Sequence, residues 1–151
     1  MSRDDTPPVV LVVENNDDDF EASEVAFRQR QDTPIKVVRC TSGRDALDYL
    51  LAEGPHAPPN DGVRPGFILL DLNLPGMSGR EVLIQIKKNP ALRIIPVIIM
   101  TSSTDQRDVD ECYRHGANAY VKKPMDLKEF FKVIFYLQQF LFDVAILPVA
   151  D

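Results

Sequence analysis

Short apolar runs alternate with stretches of helical periodicity along most of the chain. Val9, Val10, Leu11, Val12 and Val13 form the first run. A helix is predicted over about 18–30, and a second run follows at Ile35, Lys36, Val37 and Val38. Ala46, Leu47, Leu50 and Leu51 recur at helical spacing, with Thr41 or Ser42 placed to cap that helix. Residues 53–65, with Pro55, Pro58, Pro59 and Pro65, read as a long surface connection. The third run, Phe67 to Leu70 or Asp71, stops abruptly on a carboxylate, and a Pro75-Gly76 turn follows. Val82, Leu83 and Ile86 mark a helix over 79–88, and Pro96 to Thr101 a fourth strand. A polar helix over 105–114, a short strand at Ala119, Tyr120 and Val121, and a helix from 126 to about 142 complete the pattern.

Fivefold alternation of strand and helix predicts an α/β fold, a five-stranded parallel sheet with helices on both faces. Runs apolar throughout, rather than alternating, belong to strands buried on both sides. Ligands and reactive groups of such sheets lie just outside the carboxyl ends of the strands. Asp71 is in that place. Taken alone, it reads equally as a reactive carboxylate or as a cap for the loop and the next helix.

Composition narrows the class. At 151 residues the chain has the size of one domain, and its 44% hydrophobic and 26% charged residues suit a globular core. A formal net charge of −6 argues against a basic nucleic-acid footprint. Cys40 and Cys112 form no CxxC pair, so neither a disulfide framework nor a structural zinc site is expected. They read as small core or half-buried residues in a reducing compartment, and a cytoplasmic location is expected. The amino terminus lacks the pattern of a signal peptide, and no apolar stretch reaches transmembrane length.

All the strand ends together favour the reactive reading of Asp71. The first run ends in Glu14, Asn15, Asn16, Asp17, Asp18 and Asp19, the fourth in Thr101 and Ser102, and the fifth is followed by Lys122, Lys123 and Pro124. On one edge of a parallel sheet these residues bring carboxylates, a hydroxyl and an ammonium around one crevice. A carboxylate can act as nucleophile toward a phosphoryl group, whose oxygens then need a divalent cation and a lysine. Magnesium suits carboxylate, carbonyl and water oxygens, which the acidic residues after the first strand and Asp71 supply. Lys123 serves as a point charge on the phosphoryl oxygens and Thr101 as a hydrogen-bond donor to them.

With these positions in view, the chain resembles the receiver domains of two-component response regulators, over most of its length from Val9 to about Phe142. Asp71 and Thr101 are 30 residues apart and Thr101 and Lys123 are 22 apart, as in that family. The resemblance implies the flavodoxin-like, doubly wound receiver fold and phosphoryl transfer from a histidine kinase onto Asp71. It implies Asn73 as a magnesium ligand through its main-chain carbonyl, Tyr120 as the aromatic switch that turns inward with Thr101, and a cis Lys123–Pro124 peptide. Asn73 and Ser103 occupy the family positions that tune hydrolysis of the phosphorylated form. On this resemblance the protein is a signalling relay, not a turnover enzyme, with at most slow autodephosphorylation.

One position departs from the family. Its acidic pair after the first strand reads here as Glu14-Asn15, and an uncharged Asn15 predicts weakened magnesium binding. Asp17 could point the same way as Asn15, although Asp17, Asp18 and Asp19 read more simply as cap and first-turn residues. The alternative function is a docking module that works without phosphorylation. An EF-hand reading of Asn15, Asp17 and Asp19 fails at Phe20 and Ala26, where glycine and glutamate are needed. A phosphatase reading of Asp71-Leu72-Asn73-Leu74 lacks its second carboxylate, because Asn73 is not acidic. No dinucleotide-binding glycine pattern follows the first strand. His56 and His115 read as surface and helix-end residues.

The last helix carries more apolar surface than one core stripe needs. Phe130, Phe131, Ile134, Leu137 and Leu141 make the stripe, and Val133, Phe135, Tyr136, Phe140 and Phe142 fall outside it. The tail continues apolar through Ile146 and Leu147. Either the tail folds back over the helix, or a second copy covers it. The second reading predicts an isologous homodimer through Phe135, Tyr136, Phe140, Phe142 and Ile146. One domain over 1–151 is expected, with core 7–142, apolar tail 143–151 and no output domain. The long loop, the tail and the single domain are similar to the stand-alone receivers that partner (cyano)bacterial phytochrome histidine kinases. On the first helix, Glu21, Ser23, Glu24 and Arg28 are a candidate docking face for that kinase.

Overall fold

The three central strands are buried along their whole length, which is why they are apolar runs. The computed structural model describes residues 7–29, 34–52 and 64–148. Most of the Pro-rich connection with His56, Arg30 of the predicted first helix, and residues 149–151 lie outside them. The order is β1 (Val9–Val13), α1 (Asp17–Arg28), β2 (Lys36–Cys40), α2 (Gly43–Leu51), β3 (Phe67–Leu70), α3 (Gly79–Lys88), β4 (Val97–Thr101), α4 (Gln106–Arg114), β5 (Ala119–Lys122) and α5 (Leu127–Gln138). The sheet runs β2-β1-β3-β4-β5, with every pairing parallel. The strand order reverses between β1 and β3, the switch point at which open α/β sheets place their sites.

Alternate residues of each strand go to opposite faces. Leu11, Val13, Ile68, Leu70, Val97 and Ile99 meet Ala46, Leu50, Val82, Leu83 and Ile86 of α2 and α3, with Cys112 of α4 and Cys40 in the same layer. Val10, Val12, Phe67, Leu69, Ile98 and Met100 meet Ala26, Phe27, Phe130 and Ile134 of α1 and α5. Each fully buried aliphatic or phenyl side chain contributes about 1.5–3 kcal/mol. Both layers therefore hold the strand ends rigidly. No described helix is long and apolar enough to cross a membrane.

Several boundaries differ from the sequence reading. α1 starts at Asp17 because Asn16 caps it, its side chain accepting from the Asp19 N–H at 2.9 Å. Ser42, not Thr41, caps α2 by accepting from the Asp45 N–H at 3.1 Å. β2 begins at Lys36 and extends beyond Val38 to Cys40. As an edge strand it admits polar side chains on its exposed side. Arg39 uses that freedom, stacking 4.7 Å from the centre of the Phe20 ring.

α5 keeps α-helical geometry only to Gln138 and then widens into a π-helical segment, Gln139–Val144. Leu141 and Phe142 both join the second core layer there. Phe142 is therefore not in the outward set where the sequence pattern puts it; its ring packs 5.2 Å from that of Phe67. The tail also folds back as far as Leu147. A Cβ on Gly66 would lie 3.1 Å from both Leu147 Cδ1 and Phe142 Cε1, so glycine makes room for them. Val133 likewise packs inward. Phe135, Tyr136, Phe140, Val144 and Ile146 remain exposed, Ile146 at 99%.

Candidate functional site

Three residues, each one position past the end of a strand, are still held by the sheet's hydrogen bonding. Glu14 N–H donates to Cys40 O at 3.0 Å, Asp71 N–H to Val13 O at 3.1 Å, and Lys123 N–H to Thr101 O at 2.7 Å. The ladder thus aims a glutamate, an aspartate and a lysine at one point. Lys123 Nζ donates to Glu14 Oε1 at 2.8 Å and to Asp71 Oδ2 at 3.0 Å. The other oxygen of each carboxylate is also held: Asn73 N–H donates to Asp71 Oδ1 at 3.1 Å, and Asn16 N–H to Glu14 Oε2 at 3.2 Å.

α3 fixes Asp71 from below. A Cβ on Gly79 would stand 2.7 Å from Leu72 Cα and closer still to the Asp71 carbonyl oxygen. Only glycine allows the helix to start so near the backbone of Asp71. Gly79 N–H donates to Leu72 O at 3.0 Å and closes the turn.

A third carboxylate meets Lys123, and the sequence reading did not place it there. Asp19 Oδ2 accepts from Nζ at 2.9 Å. Its signal was the acidic triplet in the first turn of α1, where a site residue is indistinguishable from one that complements the helix dipole. Asp17 turns away instead and pairs with Arg39 Nη2 at 2.7 Å. Asn15 is exposed and is not among the partners of Lys123.

Burial pushes the Glu14 carboxyl above its ordinary range, against the opposing pull of the Lys123 ammonium. Burial also disfavours the charged form of Lys123, but hydrogen bonds to Glu14 and Asp19 and the charge of Asp71 outweigh it. The lysine is held above its ordinary value. Three carboxylates against one ammonium leave the crevice negative. Among the described residues no three acidic or imidazole side chains are arranged to hold a metal by themselves. Glu14 and Asp71, supplemented by main-chain and water oxygens, fit the ligand habits of magnesium, and the excess negative charge suits a divalent cation.

Thr101 ends the adjacent strand. Its hydroxyl is fully buried and has no hydrogen-bond partner, while its main-chain carbonyl accepts from the Lys123 N–H. The loop after it leads to Tyr120, whose hydroxyl donates to Ser103 O at 2.9 Å. Ser103 Oγ donates to Asp108 Oδ2 at 2.7 Å, and Asp108 Oδ1 pairs with Arg80 Nη2 at 2.7 Å. Arg80 Nε also lies 3.0 Å from Glu111 Oε2. Tyr120 is therefore tied through the loop to α4 and α3.

On the other side, a groove of about 210 Å³ runs between α1 and α5, lined by Asp18, Glu21, Ala22, Val25, Leu127 and Phe131. Ser23, which the sequence reading puts on this exposed face, is buried instead, with its hydroxyl donating to Asp19 O at 3.0 Å.

The chain and its fold have counterparts among known proteins. A family model for the response regulator receiver domain matches residues 10–135. Response regulator Rcp1 of Synechocystis sp. is 37% identical over 152 aligned residues, spanning 99% of this chain and 100% of that protein. The crystal structure of the phosphorylated cyanobacterial phytochrome response regulator RcpA superposes with a TM-score of 0.90 at 34% identity, covering 95% of this chain and 100% of that one. The Mn²⁺-bound form of Rcp1 gives 0.88 at 34% identity, with the same coverage.

Proposed function

This chain belongs to the response regulator receiver domain family, and on that premise we propose that it takes a phosphoryl group from a histidine kinase onto Asp71. The observation that carries the reading is the placing of Asp71, buried at the switch point with Lys123 Nζ 3.0 Å from Oδ2. In the proposed step a carboxylate oxygen of Asp71 attacks the phosphorus of a phosphohistidine. A P–O bond forms as the P–N bond breaks, and the imidazole leaves. Lys123 neutralises charge on the phosphoryl oxygens, and the unpartnered Thr101 hydroxyl donates to one of them.

A divalent cation, when bound, neutralises the same oxygens, and Glu14, Asp71 and the Asn73 carbonyl would hold it. Asn15 lowers its affinity. Movement of Thr101 toward the phosphoryl group then draws Tyr120 from its bond to Ser103, which is the proposed output. Asn73 and Ser103 flank the route of a hydrolytic water, and any dephosphorylation is slow self-hydrolysis.

RcpA is a phytochrome response regulator, so the proposed kinase is a phytochrome, docking on the α1–α5 groove. The proposed signalling unit is a homodimer through Phe135, Tyr136, Phe140 and Ile146, whose exposure supports a second copy as the cover. Phosphotransfer on a phosphate-retarding gel tests the central reading. A cyanobacterial phytochrome kinase should shift wild type and not Asp71→Ala. Signalling that survives Asp71→Ala would favour the phosphorylation-independent docking module.

A further inference from the structure

The receiver family carries two acidic residues after its first strand, and here the second is Asn15. The crevice nevertheless holds three carboxylates, because Asp19 reaches Lys123 Nζ at 2.9 Å from the first turn of α1. That turn is fixed on both sides. Asn16 Oδ1 accepts from the Asp19 N–H at 2.9 Å, and the buried Ser23 donates to its carbonyl at 3.0 Å. Asp17 is engaged by Arg39, and Asp18 lines the groove beyond, so of the triplet it is Asp19 that faces the site.

We propose that Asp19 supplies the carboxylate charge missing at position 15, as a positioning residue acting through Lys123. It shares the ammonium with Glu14 at 2.8 Å and Asp71 at 3.0 Å, so Lys123 neutralises less of either carboxylate than it would without Asp19. Glu14 and Asp71 then keep negative charge for a divalent cation, while Nζ stays within reach of a phosphoryl group on Asp71. Were Asp19 a first-turn acid and no more, its loss would cost helix stability and leave cation affinity alone. The inference rests on the receiver reading and adds the residue that sets its cation affinity.

The test measures Mg²⁺ binding calorimetrically on the unphosphorylated full chain, for wild type, Asp19→Asn, Asn15→Asp and the double variant. Asp19→Asn should weaken Mg²⁺ about tenfold, the scale set by one charge near a partly buried ion. Asn15→Asp should raise affinity by itself and the double variant should return to near wild type, whereas a purely structural Asp19 would leave the double variant as tight as Asn15→Asp alone. Asp19→Ser, which keeps a polar first-turn side chain, serves the same comparison if Asp19→Asn does not fold. An Asp19 variant within twofold of wild type overturns the proposal, as does failure of Asn15→Asp to restore binding. If wild type itself neither binds Mg²⁺ nor accepts a phosphoryl group, the receiver reading fails as well. If wild type does both and Asp19→Asn is unchanged, only the role of Asp19 falls.

Discussion

Gly79 is packed directly on the main-chain carbonyl of Asp71, closer than any side-chain carbon could come. Gly79→Ala must therefore push α3 and the end of β3 apart. The expected cost is about 1–3 kcal/mol of stability, as for overpacking elsewhere. Phosphotransfer should fall with it, because Asp71 moves relative to Lys123. Denaturant unfolding and a phosphotransfer time course on the same sample would check both. A variant of full stability and full rate would mean the helix start yields freely.

Lys123→Met leaves Glu14, Asp19 and Asp71 facing one another with no cation. In metal-free buffer at pH 7 it should be less stable than wild type, and with Mg²⁺ present it should be slow to accept phosphate. Glu14 is already raised by burial, and losing Lys123 raises it further. A carboxyl whose folded pKa exceeds its unfolded value gives stability that is present below the unfolded pKa and lost as pH rises through the folded one. The variant should accordingly regain stability relative to wild type as pH falls from 7 toward 5. The raised Lys123 gives wild type stability that is kept below the ordinary lysine range and lost only in strong alkali. Thermal melts across pH would show the two profiles converging at each extreme.

Tyr120→Phe deletes the bond to Ser103 O and nothing else in the described network. About 1 kcal/mol of stability should be lost. Hydrogen exchange should quicken in the loop between β4 and α4, while phosphotransfer onto Asp71 continues. Asp108→Ala, which removes the partner of the Ser103 hydroxyl and one of the two acidic partners of Arg80, should quicken the same amides more strongly.

Phe140 and Phe142 are two residues apart and should fail in different assays. Phe140 is 58% exposed, so Phe140→Asp should leave the melting midpoint nearly unchanged and shift sedimentation from dimer to monomer. Phe142 packs on Phe67, and Phe142→Ala should cost about 2–4 kcal/mol through the cavity it leaves. A wild type that itself sediments as a monomer, or a Phe140→Asp variant that stays dimeric, would remove the proposed interface.

The central strands and the meeting of Asp71 with Lys123 were legible because burial on both faces leaves an unbroken apolar run, and the run's end locates the sheet edge. Residues whose role depends on a distant neighbour were not. Nothing local separates Asp19 from Asp17, yet one meets Lys123 and the other Arg39. Ser23 looked exposed because hydroxyls usually are, but its bond to Asp19 O lets it lie inside. An α-helical period sends Phe142 outward, but that period ends at Gln138, and the wider π turn re-aims residues 139–144. The extension of β2 through Arg39 was hidden for the same kind of reason, since an edge strand need not read as apolar.

Glu14, Asp71 and Lys123 each hang from a hydrogen bond to the neighbouring strand, one position beyond its own strand's end. A slip of one residue in any of these pairings would send that side chain to the opposite face of the sheet. The crevice therefore exists only in molecules whose strands are all in register. On the proposed function, phosphate uptake becomes an assay of folding fidelity: the fraction of a preparation that can be labelled counts the correctly threaded molecules, and a misthreaded chain is silent.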